Sequence, residues 1–270
     1  MPDAPVSPAA QAPDAPEPAR IHNSLLVFSG KGGVGKTTVA VNIALGLALE
    51  GRRVGLLDVD IHGPNAARML GADALAVTTR DDRLVPPVGA AGVKVMSMAY
   101  LLPDTDAPVV WRGPVKGKAI EQLIRDVDWG ELDWLVIDSP PGTGDEPLSV
   151  AQLLPGTFGI IVTTPQAVAL MDARKAIAFA NLLKVCLLGL VENMSGFNCP
   201  HCGKAIDLFP VGAAENLARE LLIPFLGRIP LDPRVVSGGD NGRPILTDSP
   251  DSEAAGAFRA IVARLMETAD

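Results

Sequence analysis

The chain has 270 residues, 48% of them hydrophobic and 4% aromatic, and a formal net charge of −8 at pH 7. An acidic chain lacks the broad basic surface typical of nucleic-acid-binding proteins, and no apolar run approaches the roughly 20 residues that span a bilayer. Its three cysteines, Cys186, Cys199 and Cys202, do not form a disulfide scaffold and indicate a reducing compartment. We therefore expect a cytoplasmic protein, with no nucleic-acid or membrane partner, built as one large α/β domain or two small ones.

The first segment of the chain, residues 1–22, is rich in Pro and Ala. It lacks a basic start followed by an apolar stretch, so it does not resemble a secretory signal. Its apolar surface is too small to offset the entropy that ordering would cost. We expect a disordered tail here, with the folded domain over residues 23–270.

A glycine-rich loop follows the first predicted strand, whose apolar run is residues 25–28. Gly30, Gly35, Lys36 and Thr37 match the pattern G-x-x-x-x-G-K-[ST], and a helical pattern over 36–50 follows. In this motif backbone N–H groups and the start of the helix bind phosphate, the lysine reaches the β- and γ-phosphates, and the hydroxyl ligates Mg²⁺. The alternative, a plain glycine turn, is disfavoured by the strand before the loop and the helix after it.

A second lysine, Lys31, lies near the start of the same loop. It could bind a second phosphate group, including one held by a facing subunit, or it could be an exposed surface lysine.

Two carboxylates, Asp58 and Asp60, close the next predicted strand, 53–60. Strand, helix and strand in succession form a βαβ unit, which predicts a parallel sheet with its ligand at the carboxyl ends of the strands. One carboxylate could join the Mg²⁺ shell while the other orients a water, or both could be caps. Asp60 suits a loop that senses the γ-phosphate, and His62 is expected at the surface of that loop.

A third carboxylate, Asp138, ends the most apolar of the later strands, which is the arrangement of a Walker-B aspartate. Asn193 ends another strand, where it could read an adenine edge or stabilise a turn; Cys186 is expected to be buried and inert. Arg112 could contact phosphate, a partner chain or only its own fold. The remaining predicted elements are a hairpin at 72–92, strands at 93–98, 134–138, 158–163, 186–192 and 224–229, and helices at 115–127, 170–183, 212–222 and 252–267.

Cys199 and Cys202 are spaced so that both thiolates can bind one soft metal. Two ligands are half of what zinc or an iron–sulfur cluster requires, and a second chain across a two-fold axis is the simplest source of the other two. A redox pair and structural thiols are the alternatives. The loop after the last strand, which contains Pro230 and Asp232, could flank a base.

Taken together, these motifs resemble the Mrp/ApbC-type iron–sulfur cluster carriers, P-loop ATPases related to the MinD/ParA group, over about residues 23–268. The resemblance implies an α/β, three-layer P-loop NTPase fold with a mostly parallel central sheet flanked by helices, and a CxxC insertion near 195–210. It rests on SGKGGVGKTT at 29–38, LDVDIHGP at 57–64, WRGP at 111–114, IDSPPGTGD at 137–145, ENMS at 192–195 and CPHCG at 199–203.

The same resemblance implies an ATP-binding homodimer in which Lys31 reaches toward the nucleotide of the partner subunit. Cys199 and Cys202, with their symmetry mates, would bridge one [4Fe–4S] cluster. The catalytic residues it implies are Lys31, Lys36, Asp60 and Asp138, and the magnesium residues are Thr37, Asp60 and Asp138. The nucleotide-binding residues it implies are Gly30, Lys31, Gly32, Gly33, Val34, Gly35, Lys36, Thr37, Thr38, Asn193, Pro230 and Asp232.

The expected function is slow ATP hydrolysis coupled to receiving a cluster from a donor and passing it to apo iron–sulfur proteins. One alternative is a positioning ATPase of the MinD/ParA kind, which the cysteine pair and the absence of a basic amphipathic terminal helix disfavour. The other is an ATPase dimer bridged by a structural zinc, because zinc and iron–sulfur clusters both accept four cysteines.

Overall fold

The computed structural model describes residues 20–101, 113–199, 201–206, 208–209 and 211–269. Most of the predicted tail and Arg112 lie outside these ranges. The predicted boundary of the tail is wrong for residues 20–22, which belong to the first strand, Arg20–Phe28. They are ordered because Arg20 and Ile21 pair in register with Glu131 and Leu132 of a neighbouring strand.

Seven strands of the described chain form one central sheet in which every pair of neighbours is parallel. The strands are β1 (Arg20–Phe28), β2 (Val54–Asp58), β3 (Thr78–Arg80), β4 (Arg83–Val85), β5 (Lys94–Ser97), β6 (Glu131–Asp138), β7 (Phe158–Thr163), β8 (Cys186–Glu192), β9 (Phe197–Asn198), β10 (Ala205–Ile206) and β11 (Phe225–Arg228). The order across the sheet is β11-β8-β7-β1-β6-β2-β5, and β3–β4 and β9–β10 are separate antiparallel hairpins.

Helices cover both faces of the sheet and give three layers. The core on one face is built largely from α1 and α9, and the core on the other from α3, α5 and α6. No helix in the described ranges is long and apolar enough to cross a membrane. The helices are α1 (Lys36–Leu49), α2 (Ala66–Met69), α3 (Gly113–Arg125), α4 (Asp145–Leu153), α5 (Ala167–Leu182), α6 (Ala213–Glu220), α7 (Pro233–Asp240), α8 (Ile245–Asp248) and α9 (Glu253–Ala269).

Burial on both faces explains why the strands read as continuous apolar runs. In β1 the four residues 25–28 are fully buried. Because all seven strands run in one direction, the loops that follow β1, β2, β6 and β8 emerge at the same edge of the sheet. That edge carries every carboxylate and amide that the sequence analysis selected at a strand end.

Four helices, α2, α4, α7 and α8, are not predicted from the sequence, and one cysteine differs from its prediction. The loop after Asp138 continues into α4, whose Pro147 lies in the first turn, where proline costs no helix hydrogen bond. The segment after Asp232 forms α7, with Asp232 as N-cap and a proline at its first position. The prediction that Cys186 is buried is wrong: its thiol is exposed, because it starts β8 at the amino edge of the sheet, beyond the covering helices.

Candidate functional site

The phosphate-binding loop has the backbone shape that its glycines predict. Gly33 and Gly35 have φ values of +79° and +80°, in the left-handed region that other residues disfavour. Gly35 is also the N-cap of α1, so the loop leads directly into the positive end of a 14-residue helix. Gly30 lies so close to α5 that an added Cβ would be 2.1 Å from the main-chain oxygen of Asp172. The loop is therefore a formed anion cradle held between α1 and α5.

A buried carboxylate occupies the centre of the cradle. Asp138 is fully buried at the end of β6, and its two oxygens accept hydrogen bonds from Lys36 Nζ at 2.6 Å and Thr37 Oγ1 at 2.5 Å. Burial raises the pKa of Asp138, and the Lys36 ammonium and Thr37 hydroxyl act against that rise. The donor set, one hydroxyl and one carboxylate beside a lysine, fits a magnesium nucleotide. When it is bound, Lys36 and Thr37 are the groups to turn toward phosphate and Mg²⁺.

The two aspartates at the end of β2 have different roles. Asp58 is fully buried, and its oxygens accept from the backbone N–H groups of Asp60 and Ala66 and from the Ser97 hydroxyl. Burial and the neighbouring Asp138 carboxylate raise the pKa of Asp58 well above its ordinary value. Asp58 is thus an anchor for the loop that follows β2. Asp60 carries the remaining carboxylate of that loop, and its own Oδ1 accepts from the N–H of His62 at 3.1 Å.

Sequence reasoning missed an ion pair beside Asp60. Lys116 of α3 lies 2.8 Å from the carboxylate of Glu146 in α4 and 3.4 Å from Nε2 of His62. These side chains line a cavity of about 450 Å³ together with Asp60. Glu146 is buried, so the pair fixes α3 against α4 behind the loops that follow β2 and β6. No local sequence pattern predicts this ion pair, because its two residues lie 30 positions apart in the sequence.

Lys31 lies apart from the Lys36–Asp138 pair. Its ammonium is 3.4 Å from Oε1 of Gln166, the residue that precedes α5. The Lys31 side chain is partly exposed. Of the other residues predicted to bind nucleotide, Gly32 and Val34 lie in the loop, with the Val34 side chain buried. Thr38 lies in the first turn of α1, where it lines a separate cavity with Asn65 and Arg68.

Asn193 and Asp232, which are predicted to contact the base, make hydrogen bonds within the protein. Asn193, which is 6% exposed, donates from Nδ2 to the backbone oxygen of Val34 at 2.8 Å. Asp232 caps α7 by accepting from the N–H of Arg234, whose guanidinium lowers the pKa of that carboxyl. Asp232 and Pro230 line a cavity of about 460 Å³ that also contains Cys199. The predicted base-contacting loop and Cys199 therefore line the same cavity.

The cysteine pair lies in the turn of the β9–β10 hairpin, the insertion predicted near 195–210. Cys199 is partly exposed and Cys202 is exposed. The N–H of Cys199 donates to the Lys204 oxygen at 2.9 Å, which closes the turn. Main-chain hydrogen bonds from His201 and Cys202 lower the pKa of the Cys199 thiol and so favour the thiolate that binds metal. No group of three or more metal-binding side chains occurs in the part of the chain that the structure describes, so this pair offers two ligands.

Comparison with known proteins decides the family. A family model described as "ParA: NUBPL iron-transfer P-loop NTPase" matches residues 20–266. The chain belongs to this NUBPL family of P-loop NTPases. The iron–sulfur cluster carrier protein of Methanocaldococcus jannaschii is 48% identical over 250 residues, which are 92% of this chain and 86% of the relative. The resemblance inferred from the motifs is confirmed.

Two solved structures extend the comparison of the NUBPL-family chain to three dimensions. A nucleotide-binding protein from Archaeoglobus fulgidus, in complex with ADP, superposes with a TM-score of 0.75 at 38% identity, covering 88% of this chain and 92% of that one. The cell division ATPase MinD from Pyrococcus furiosus gives 0.70 at 26% identity, covering 91% and 99%. The predicted three-layer P-loop NTPase fold is confirmed.

The close approach of Gly35 to Asn193 gives a direct test of the cradle in this NUBPL-family chain. An added Cβ at Gly35 would lie 2.2 Å from Asn193 Nδ2, so Gly35→Ala must displace that side chain. The left-handed backbone alone costs about 1–2 kcal/mol. We expect lower thermal stability and at least about tenfold weaker MgADP binding, measured by calorimetry, because the cradle's N–H groups lose their alignment.

Gly51→Ala is the matched control for Gly35→Ala. Gly51 has the same φ of +80°, follows the opposite end of α1, and has no atom within 4 Å of an added Cβ. It should show a similar backbone penalty with unchanged MgADP affinity. Equal loss of affinity in both variants would mean that general destabilisation, and not the cradle, is responsible.

Proposed function

We propose that this chain is an ATP-hydrolysing carrier that takes up an iron–sulfur cluster on Cys199 and Cys202 and passes it to apo-proteins. One observation carries the proposal. A formed phosphate cradle and an exposed pair of thiols occur at the same edge of one sheet, joined by the segment that follows β8. The name of the Methanocaldococcus relative, an iron–sulfur cluster carrier protein, supports the same function.

The nucleotide chemistry follows from the groups in the cradle. Backbone N–H groups at the start of α1 and the Lys36 ammonium bind phosphate, while the Thr37 hydroxyl and Asp138 hold the metal shell. Mg²⁺, when bound with ATP, neutralises charge that develops on the transferred phosphoryl group. Asp58 holds the loop after β2 through its hydrogen bonds, and Asp60, the other carboxylate of that loop, positions the attacking water. Lys31 serves the nucleotide of a second copy of the chain.

The cluster is cargo, and its chemistry requires a second subunit. A [4Fe–4S] cluster takes four cysteine ligands, whereas the hairpin offers the two thiols of Cys199 and Cys202. A two-fold dimer supplies the other two from the same turn in the partner. A cluster held at such an exposed seam can be received and released without unfolding either chain, which a carrier requires and a structural metal site does not.

Anaerobic reconstitution of the full chain with ferrous iron and sulfide tests the proposal. We expect about four iron and four sulfide per two chains, a dimeric mass by light scattering, and recovery of activity when the product is mixed with an apo-enzyme that needs a [4Fe–4S] cluster. Transfer should also slow in the Lys36→Ala variant. A colourless dimer that holds one tight zinc and activates no apo-enzyme would overturn the carrier function in favour of a structural zinc bridge.

A further inference from the structure

We propose that residues 192–195 couple the phosphate loop to the cysteine hairpin, with Glu192 and Ser195 as the positioning residues that orient Cys199. This inference rests on the proposed function and identifies the structural element that links its two halves. The segment begins at the last residue of β8, and its four side chains divide between two neighbours. Asn193 and Met194 contact the phosphate loop, whereas Glu192 and Ser195 fix the start of the hairpin.

Two consecutive side chains lie against the phosphate loop. Asn193 donates to the Val34 oxygen at 2.8 Å, and this amide is nearly fully buried. A Cβ placed on Gly35 would lie 2.2 Å from Asn193 Nδ2 and 3.6 Å from Met194 Cε. Both side chains therefore face the position of Gly35, and the Asn193 amide lies directly against it. A change in the loop at Val34 or Gly35 when phosphate binds must be accommodated by Asn193 and Met194.

The other two side chains fix the hairpin side. Glu192 is fully buried, and its carboxylate accepts from the Ser195 hydroxyl at 2.5 Å and from the N–H groups of Gly212 and Ala214 at 3.1 and 2.7 Å. The N–H of Ser195 donates to the oxygen of Ile229 at 2.8 Å. The first residue of the hairpin connection is thus fastened to the start of α6 and to the end of β11.

The backbone between the two sides is held in an unusual conformation. Met194 has a φ of +55°, in the left-handed region that costs an L-residue free energy. It persists because hydrogen bonds fix the residues before and after it. Beyond it, the oxygen of Gly196 accepts from the N–H of Leu231 at 2.9 Å, and Phe197 pairs with Leu231. A strained residue held from both sides is suited to two arrangements rather than to gradual deformation.

This geometry gives a short physical route from nucleotide to thiol. Asn193 and Cys199 are separated by five residues, of which Gly196 and Phe197 are hydrogen-bonded or paired to the loop that contains Pro230 and Asp232. Glu192 performs no step of phosphoryl transfer, yet it is a buried carboxylate with three hydrogen-bond donors. Its role is to convert a displacement of Asn193 into a displacement of the turn rather than into local disorder.

Site-specific alkylation of the full chain, prepared without iron or cluster, tests the coupling. The iodoacetamide modification rate of Cys199 is measured by mass spectrometry without nucleotide and with saturating MgADP, with exposed Cys186 as internal reference. We expect MgADP to change the Cys199 rate about fivefold or more, the lower range of allosteric couplings, with no change at Cys186. In Ser195→Ala and Glu192→Gln the ratio of the Cys199 rates with and without MgADP should approach one. Their MgADP affinity should stay within about twofold of wild type, because neither side chain contacts the phosphate loop.

The controls separate positioning from general loosening. Ser149→Ala and Glu121→Gln make the same chemical changes in α4 and α3, away from Glu192 and its partners, and should keep the wild-type ratio. Met194→Gly fits the left-handed backbone, so it should fold at least as stably while losing the Cε contact and part of the ratio. It keeps the test decisive if Glu192→Gln does not fold.

The outcomes for the coupling and for the carrier function are distinct. A wild-type ratio of one, or a ratio that persists in Ser195→Ala and Met194→Gly, would overturn the coupling. Because the assay contains no iron and no cluster, a failed reconstitution would remove the carrier function while a nucleotide-dependent Cys199 rate would still stand.

Discussion

Replacing Lys36 by Ala is expected to lower kcat for ATP hydrolysis by about 10²- to 10³-fold, the usual loss when one preorganised donor to the transition state is removed. Lys36 Nζ is the cation of the cradle and lies 2.6 Å from Asp138 Oδ1 without nucleotide. With phosphate bound, we expect the same ammonium to stabilise charge on the transferred group. Phosphate release at saturating MgATP measures the effect, and calorimetry separates it from a loss of binding.

The stability of the Lys36→Ala variant needs its own measurement. Removing one partner of a buried pair commonly costs about 3–5 kcal/mol, and Asp138 would keep only the Thr37 hydroxyl. The pKa of Asp138 is already raised by burial, so without Lys36 it rises further and the neutral carboxyl limits the penalty. Thermal unfolding should therefore show a modest loss that shrinks as the pH is lowered, because the protonated acid no longer requires a cation.

Two further variants make the Lys36 test specific. Lys36→Arg keeps a cation beside Asp138 but cannot reproduce the point charge at phosphate, so it should be more stable than Lys36→Ala and still slow. Lys118→Ala removes an exposed lysine of α3 and should leave both rate and stability unchanged. Wild-type turnover in Lys36→Ala would exclude the cradle as the site of hydrolysis.

The parts of this molecule that sequence predicts well depend on local chemistry. The phosphate loop can be recognised because its glycines, lysine and threonine lie in one short stretch. A continuous apolar run before it predicts a buried strand, and a helical pattern follows it. The strands at 158–163 and 186–192 match the structure to the residue, since both faces are covered and the apolar runs are continuous. Asp138 is predictable for the same reason, because it ends the continuous apolar run of β6.

The parts that sequence did not predict depend on residues far apart in the chain. Arg20 is ordered by pairing with Glu131, a partner more than 100 residues away. The Lys116–Glu146 pair joins two helices, and no pattern in either helix marks it. The same holds for Glu192, which reads as the last residue of a strand; only the fold brings Gly212 and Ala214 to its carboxylate. The α7 helix is different, because its Asp232-Pro233 start was a legible signal.

Replacing Cys199 by Ser is expected to abolish cluster uptake, with reconstituted iron falling at least about tenfold, because a hydroxyl is a much poorer ligand than a thiolate for iron. In a two-fold dimer each substitution removes two of four ligands, so no partial site with three thiolates remains. Cys202→Ser should behave in the same way, since both residues lie in the turn of the same hairpin. Iron and sulfide analysis after anaerobic reconstitution measures the loss. Thermal unfolding should be unchanged, because the substituted turn lies outside the core.

Cys186→Ser is the matched control, because it makes the same substitution at another exposed thiol. Cys186 begins β8, whereas the hairpin follows the carboxyl end of that strand. Seven residues at about 3.3 Å each place the two ends of β8 roughly 20 Å apart, far more than the width of one cluster. Cys186→Ser should therefore keep the wild-type iron content. If Cys186→Ser lost as much iron as Cys199→Ser, the cluster could not be held by the hairpin thiols alone. The dimer would then have to bring the amino edge of one sheet, where Cys186 lies, to the hairpin of the other subunit.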